Sequence, residues 1–289
     1  MTATFDNEAR VKMSSAINLL DLAYDGTPIS SMVVKEIDCK IARPYIASFH
    51  YSHTMPDSTL FSYGAFMNDK LCGVACFGMG CGKNQYTALF PNIKNGEYAE
   101  LTRLWCANDY PRNTESRLIS QALKQLPKEI KVVISFADES EGHCGIIYQA
   151  TNWYYLGKNE GGTQLVNQDG IKKHSRLLGI YRMRHPELKD YTNQELMDLL
   201  GYKTTEAGKK YRYVYLRGSK RERKELYRQI ENKILPYPKI DKKKGIDDRS
   251  MLNQTAINRQ QVTIFDFQNG TSSKMEQVED EPQTEREGE

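Results

Sequence analysis

Three stretches of this 289-residue chain carry side chains of the types that do chemistry. In ARPYIASFHYSH, His50 and His53 are three residues apart. On a helix they share a face, the spacing at which two imidazoles reach one ion or one substrate. Tyr51 lies about 100° round the helix from His50, so all three converge only if the helix ends there. Around SFADESEGHCGIIYQATNW, a run of β-formers that starts just upstream at Val132 and reaches Phe136 closes on Asp138 and is followed by His143 and Tyr148. A strand that delivers a carboxylate to its C-terminal edge is a common way to build a reactive site in an α/β sheet, and capping a turn accounts for Asp138 equally. Tyr148 suits proton donation to a leaving group, and His143 suits either chemistry or a cap. In a helix starting near His143 the two rings would stand about 140° apart, so only one would join Asp138.

The third stretch is NDYPRNTES, a strand-to-helix junction. Thr114 and Ser116 bring hydroxyls there, Arg112 and Arg117 bring charge, and Asn113 or Thr114 can cap the helix. Free N–H groups and the positive end of the helix dipole form a seat for a phosphate, although any well-capped helix presents the same pattern.

An alternating series of elements has to position these groups. Residues 32–41 pattern as a strand and ARPYIASFHYSH as a short helix. LFSYGAF and KLCGVACFG follow as two strands around the turn pair Asn68-Asp69, and CGKNQYTALFPNIKNG reads as a loop. YAELTRLWCAN alternates as a strand, with Leu101, Arg103 and Trp105 on one side and Thr102, Leu104 and Cys106 on the other. In NTESRLISQALKQL a helical stripe joins Leu118, Ile119, Ala122, Leu123 and Leu126. Strand KVVISFAD, helix HCGIIYQATN and strand WYYLGK come next, then a hairpin near Asn167–Gly170, a short helix NQELMDLLG, strand KKYRYVYLRG and helix SKRERKELYRQIEN. The pattern predicts an α/β (α+β) fold with a central mixed sheet flanked by helices. The expected organisation is an arm over 1–31, a catalytic domain over 32–237 and a tail over 238–289 without fixed structure.

Composition narrows the class. A mean hydropathy of −0.65, the lack of a long apolar run and an N-terminus without a basic-then-apolar layout point to a soluble, cytoplasmic protein. Cys39, Cys72, Cys76, Cys81, Cys106 and Cys144 are scattered, without paired C-x2-C spacing, and read as small buried hydrophobes. The net charge of +3 hides an uneven distribution: basic residues dominate from Lys172 to Lys244, and the end MEQVEDEPQTEREGE is acidic. Aromatics interleaved with Arg and Lys along KKYRYVYLRGSKRERK suit a nucleic-acid backbone, and they equally suit an edge strand followed by a solvated helix.

Four strings in one order, HYSH, ELTRLWCANDYPRNTESRLIS, SFADESEGHCGIIYQATNWYYLG and KYRYVYLRGSKRERK, resemble the phage Mom DNA-modification proteins, a divergent branch of the GNAT acyltransferase superfamily. The likeness runs over about residues 32–240. It implies a splayed GNAT sheet and conversion of adenine in double-stranded DNA to a carbamoylmethyl form that blocks restriction. It also implies functional positions at His50, Tyr51, Arg103, Ser116, Asp138 and Tyr148, acetyl-CoA as the inherited cofactor, and iron as a proposed ion. The cofactor would be held along Arg112, Asn113, Thr114, Ser116 and Arg117, and the iron by His50 with Asp138. GNAT enzymes usually cradle the CoA pyrophosphate with a glycine-containing loop; here DYPRNTES has no glycine.

A duplex hides the target amine, so the base must be extruded at a cost of a few kcal/mol, offset by stacking and phosphate contacts. Tyr51, Tyr63 and Tyr148 are the candidate stackers, and Arg176, Arg182, Arg212 and Lys220 the candidate phosphate contacts. In the tail, Gln261, Val262, Ile264 and Phe265 resemble the pentapeptide by which bacterial proteins dock on the replication sliding clamp. A conventional N-acetyltransferase and a catalytically idle DNA-binding module are the alternatives that the same residues allow.

Overall fold

The computed structural model describes residues 22–80, 82–170 and 172–239. Gln261, Val262, Ile264 and Phe265 lie outside them. The first strand, β1 (Val33–Glu36), is less than half as long as its sequence pattern suggests. Asp38 ends it: the carboxylate accepts the Lys40 N–H at 2.7 Å and caps helix α1 (Cys39–Phe49). Strands β2 (Thr59–Met67) and β3 (Lys70–Gly78) form the expected hairpin. Its turn needs two left-handed residues, and Asn68 (φ 47°) and Asp69 (φ 59°) supply them. The stretch expected to be a loop contains a short helix, α2 (Lys83–Thr87).

Strand β4 (Tyr98–Cys106) departs from simple alternation. Cys76 pairs with Arg103 and Phe77 with Leu101, so Thr102 bulges, and its hydroxyl donates to the Cys76 carbonyl. The extra residue reverses the faces. Leu101 joins the core on the side of Leu104 and Cys106, and Trp105 packs on the opposite side; the sequence pattern placed Leu101 and Trp105 together. Helix α3 (Thr114–Gln125) buries Leu118, Ile119, Ala122 and Leu123 of the predicted stripe, and Leu126, just past its end, is buried with them. Strand β5 (Val132–Asp138) then runs parallel to β4, but only Tyr98–Glu100 pair with Val132–Ile134, after which the two strands part.

Beyond β5 the expected helix is reduced to α4 (Ile146–Gln149), preceded by a 3-10 turn over Glu139–Glu141. Glycines explain this: Gly142 (φ 76°) and Gly145 (φ 85°) both take left-handed conformations that break a continuous helix. Strand β6 (Tyr154–Lys158) leads into an insert that the sequence revealed only in part. It contains β7 (Gly162–Asn167), β8 (Lys172–His174), α5 (Arg176–Arg184), α6 (Asn193–Leu200) and β9 (Tyr202–Ala207). These form a three-stranded sheet, order β8-β7-β9, over a small core of Leu165, Leu178, Leu196 and Met197. The chain returns through β10 (Lys210–Leu216) and ends in α7 (Lys220–Ile230).

The main sheet has the order β1-β2-β3-β4-β5-β10-β6, antiparallel throughout except at β4–β5. One face carries the core that includes the α3 stripe, Tyr148 and Trp153. The other carries Ile46 of α1 against Trp105, and beside it Ile230 of α7 against Ile134 and Val214. Among the described residues no helix is long and apolar enough to cross a membrane.

Gly145 lies against the Tyr213 ring, so that a Cβ added there would overlap it. With a positive φ as well, Gly145→Ala should cost more than about 3 kcal/mol, read as a lower urea midpoint. An unchanged midpoint would mean that the turn can rearrange freely.

Candidate active site

The candidate residues come together at the parting of β4 and β5. Helix α1 ends at Phe49, so His50 and Tyr51 lie beyond it, and the shared-face argument for His50 and His53 does not apply. His53 turns back with φ 48°, and its Nδ1 pairs with the Ala47 carbonyl at 2.9 Å. The His50 and Tyr51 rings contact each other at 4.3 Å between centroids, and Tyr51 lies 6.1 Å from the His143 ring. Arg103 braces this loop. Its Nε donates to the Thr54 carbonyl at 2.6 Å, one terminal nitrogen donates to the Thr102 carbonyl at 2.6 Å, and the other reaches Thr54 Oγ1 at 3.3 Å.

His50 is 8% exposed. The Ser52 backbone N–H donates to its Nδ1 at 3.1 Å, and Ser52 Oγ lies 2.9 Å from the same atom. A ring nitrogen that accepts a backbone N–H carries no proton, so the neutral ring holds its proton on Nε2. Burial, then the Arg103 guanidinium and the neighbouring histidines, holds His50 well below the usual imidazole range. Tyr51 keeps 36% exposure as a whole residue. Its hydroxyl end is desolvated, which raises its pKa; Asp138 raises it further and Arg103 opposes the shift. Tyr51 therefore links the imidazole side of the site to the carboxylate side.

Asp138 ends β5, 9% exposed. Its Oδ1 accepts from the Ser140 N–H at 3.0 Å and the Ser140 hydroxyl at 2.6 Å, and its Oδ2 lies 3.3 Å from Nζ of Lys210, its cross-strand partner. It thus does cap the 3-10 turn, as the bland reading of the sequence had it, while standing at the site. Tyr148 comes from the opposite face. Its hydroxyl is 2.8 Å from Ser135 Oγ, which in turn donates to the Leu101 carbonyl at 2.8 Å. Ser135 has one proton to give, so Tyr148 must be the donor in their bond. Burial pushes Tyr148 up to about 12. Sequence reasoning passed over Ser135. The signal was present, a lone hydroxyl inside the apolar run VVISFA.

The pair His50 and Asp138 does not fit an iron ion. The Nδ1 lone pair is taken by Ser52 and Nε2 holds the proton, so His50 offers no lone pair to an ion, and Asp138 alone would be a single ligand. Among the described residues no three His, Cys, Asp or Glu side chains are grouped so as to hold a metal.

At the start of α3, Asn113 occupies the cap position with φ 72° and does not cap through its side chain. It takes the left-handed conformation that a glycine would otherwise provide. Thr114 is buried and donates to the Pro111 carbonyl at 2.7 Å, Ser116 donates to the Asn113 carbonyl at 3.1 Å, and Arg117 reaches the Ser30 carbonyl at 3.1 Å. Arg112 is exposed. Of the proposed stackers, Tyr63 is 1% exposed, with its ring edge-on to Phe77, and Tyr148 is enclosed by Trp153 and Tyr213; Tyr51 alone retains an open face. Of the proposed phosphate contacts, Arg182 is spent on the Tyr191 carbonyl and Asn193, Arg212 is half-buried in β10, Arg176 begins α5, and Lys220 is exposed on α7.

A mixed sheet of this order, with its single parallel pair splayed, places the chain in the GNAT-like α/β class. The chain belongs to the Mom protein family, whose model matches residues 31–239. It is 32% identical over 209 residues to the protein named methylcarbamoylase mom of Escherichia phage Mu, covering 71% of this chain and 83% of that protein. Among solved structures, a GNAT family acetyltransferase from Elizabethkingia anophelis with acetyl-CoA bound aligns at 8% identity and a TM-score of 0.34, over 65% of this chain and 99% of that one. An aminoglycoside acetyltransferase in complex with coenzyme A aligns at 9% identity and a TM-score of 0.38, over 70% and 99%.

Two outcomes follow from the geometry. Ser135→Ala leaves the Leu101 carbonyl and the Tyr148 hydroxyl without their buried partner, so about 2–4 kcal/mol of stability should be lost, and a double-mutant cycle with Tyr148→Phe should show coupling. Additive losses would mean that Ser135 and Tyr148 do not act together. His50 is held below its unfolded value of about 6.5, so the unfolded chain takes up its proton first as pH falls. Stability from this ring is fully present above about pH 6.5 and declines below it, by up to about 1.4 kcal/mol per pH unit. His50→Asn keeps an acceptor for Ser52 without titrating. Urea unfolding of both proteins between about pH 5 and 7.5 should show a difference that shrinks on acidification; a constant difference contradicts the neutral ring.

Proposed function

We propose that the protein is a DNA-modification enzyme that converts adenine in duplex DNA to a carbamoylmethyl form. The observation that carries this reading is the gathering of His50, Tyr51, Arg103 and Asp138 at the open end of the β4–β5 pair, on a chain of the Mom family whose phage Mu relative is named a methylcarbamoylase.

A base has to leave the stack to reach such a site. The exposed face of Tyr51 offers it a platform, worth about 1–3 kcal/mol per stacked base. The desolvated Tyr51 hydroxyl stays protonated, and the His50 Nε2–H is a second donor, so the His50 side of the site suits the acceptor nitrogens of a purine ring. Asp138 is the carboxylate beside them and is assigned to accept the proton that the exocyclic amine sheds. Lys210 and Ser140 fix its orientation. Tyr148, bonded through Ser135 to the strand that parts, is assigned to hold the opening from the opposite face.

The first turn of α3 fits the pyrophosphate of acetyl-CoA: the left-handed Asn113 opens the turn without a side-chain cap, and Arg112 is exposed beside it. When bound, acetyl-CoA would supply a two-carbon unit as a thioester; joining its methyl carbon to the adenine nitrogen and replacing the thiol by an amide nitrogen would further require a two-electron oxidant and an ammonia-level nitrogen donor. The residues that would hold it are Arg112 and the backbone from Asn113 to Ser116, steadied by Thr114 and Arg117.

Mass spectrometry of nucleosides from cells expressing the protein tests the reading. The expected product is deoxyadenosine heavier by one carbamoylmethyl group, reduced on the order of 100-fold by Tyr51→Phe with Asp138→Asn. Unaltered deoxyadenosine alongside folded, abundant protein overturns it, and an acetylated nucleoside would move the chemistry to plain acyl transfer.

A further inference from the structure

Helix α7 carries a cationic stripe over a groove that lies away from the site described above. Lys220, Arg223, Lys224 and Tyr227 stand at positions i, i+3, i+4 and i+7, so they occupy one face. That face borders an open depression of about 540 Å³, whose other walls include Tyr154 of the edge strand β6 and Tyr215 of β10. The rings of Tyr154 and Tyr227 meet at 5.4 Å and 57°.

The acids of the same helix are withdrawn from the stripe. Glu222 closes the cap at Ser219 and pairs with Lys131 at 2.7 Å, and Glu225 pairs with Arg228 at 3.3 Å. Among the described residues Lys220, Arg223 and Lys224 have no ion pair, and all three are exposed. Three free cations on one wall of a tyrosine-sided groove match an anion that recurs at short intervals and has flat or apolar matter between its charges.

We infer that this groove binds the phosphodiester backbone of the duplex whose adenine is modified, flanking the target and outside the reacting centre. The inference rests on the DNA-modification reading. The spacing supports it. From Lys220 to Lys224 the helix rises about 6 Å, roughly the distance along the duplex axis over which one strand advances by two phosphates, at 3.4 Å each. Strand β10 runs from Lys210, opposite Asp138, to Leu216, opposite Val132, at the groove. That separates groove and carboxylate by about 20 Å, or roughly six base pairs of duplex.

The test uses the full chain and a fluorescent duplex, with the triple variant K220A/R223A/K224A. Each phosphate contact adds about 0.9 to the slope of log affinity against log salt. The variant should therefore lose two to three such increments, bind on the order of 10- to 100-fold more weakly near 0.15 M salt, and recover as salt is lowered, with a raised KM for DNA. Unchanged melting shows that it remains folded. Wild-type protein that modifies DNA alongside a variant of equal affinity and slope overturns the groove and leaves the function standing. Wild-type protein that neither binds nor modifies duplex overturns both. If the variant binds DNA normally but loses affinity for polyglutamate, the groove belongs to an acidic polypeptide and the inference falls.

Discussion

The parting of β4 and β5 is held by one hydroxyl. Two parallel strands that separate inside a protein strip backbone groups of their ladder, and a buried group left unpaired costs about 1–3 kcal/mol. Ser135 sits one residue beyond the last paired position and donates to the carbonyl of Leu101, the first residue of β4 outside the pairing. A side chain thus does what the ladder no longer can. The same oxygen accepts from Tyr148, so the gap is bridged from within rather than collapsing on apolar neighbours. Without that bridge the strands would gain by pairing further and closing the opening at which the candidate residues gather.

On the other side of the gap the constraint is Arg103. The Thr102 bulge sends its side chain away from the core that holds Leu101 and toward the loop after α1. There the guanidinium is consumed by Thr54 and Thr102, in the loop whose Ser52 N–H sets the protonation of His50. Arg103 is therefore a positioning residue in this structure. The chemistry read from His50 changes with it: an imidazole whose Nδ1 is occupied and whose Nε2 keeps the proton is a hydrogen-bond donor, and neither a metal ligand nor a general base.

What the sequence disclosed follows the kind of signal each element carries. The α3 stripe, the Asn68-Asp69 hairpin and the strand ending on Asp138 were legible because periodicity and turn chemistry are local. The end of α1 at Phe49 was not, since no glycine or proline directly follows it, and the loop beyond is held by Arg103 far along the chain. The same holds for the bulge at Thr102, which no alternation pattern encodes. Asn113 shows the converse limit. Searching for a glycine missed a left-handed position, because Asn is among the few other residues that adopt one at low cost. Ser135 stood in plain view as a polar residue in an apolar strand, yet its role depends on where β4 stops pairing.

The insert between β6 and β10 takes its meaning from where it is rooted. It leaves after Lys158 and returns at Lys210, and Lys210 pairs with Asp138 both as a cross-strand neighbour and through its ammonium. The Glu139 N–H donates to the Lys209 carbonyl, and Gly208 lies so close to Ser140 that a side chain there would strike it. The orientation of the Asp138 carboxylate is thus set by Ser140 from its own turn and by Lys210 from the returning strand. A hairpin of two or three residues could have joined β6 to β10 with the same sheet register. The chain instead spends its small core of Leu165, Leu178, Leu196 and Met197 on a separate three-stranded body at this edge. Because that body is packed on its own residues, the strand ends that it joins are held by structure on both sides.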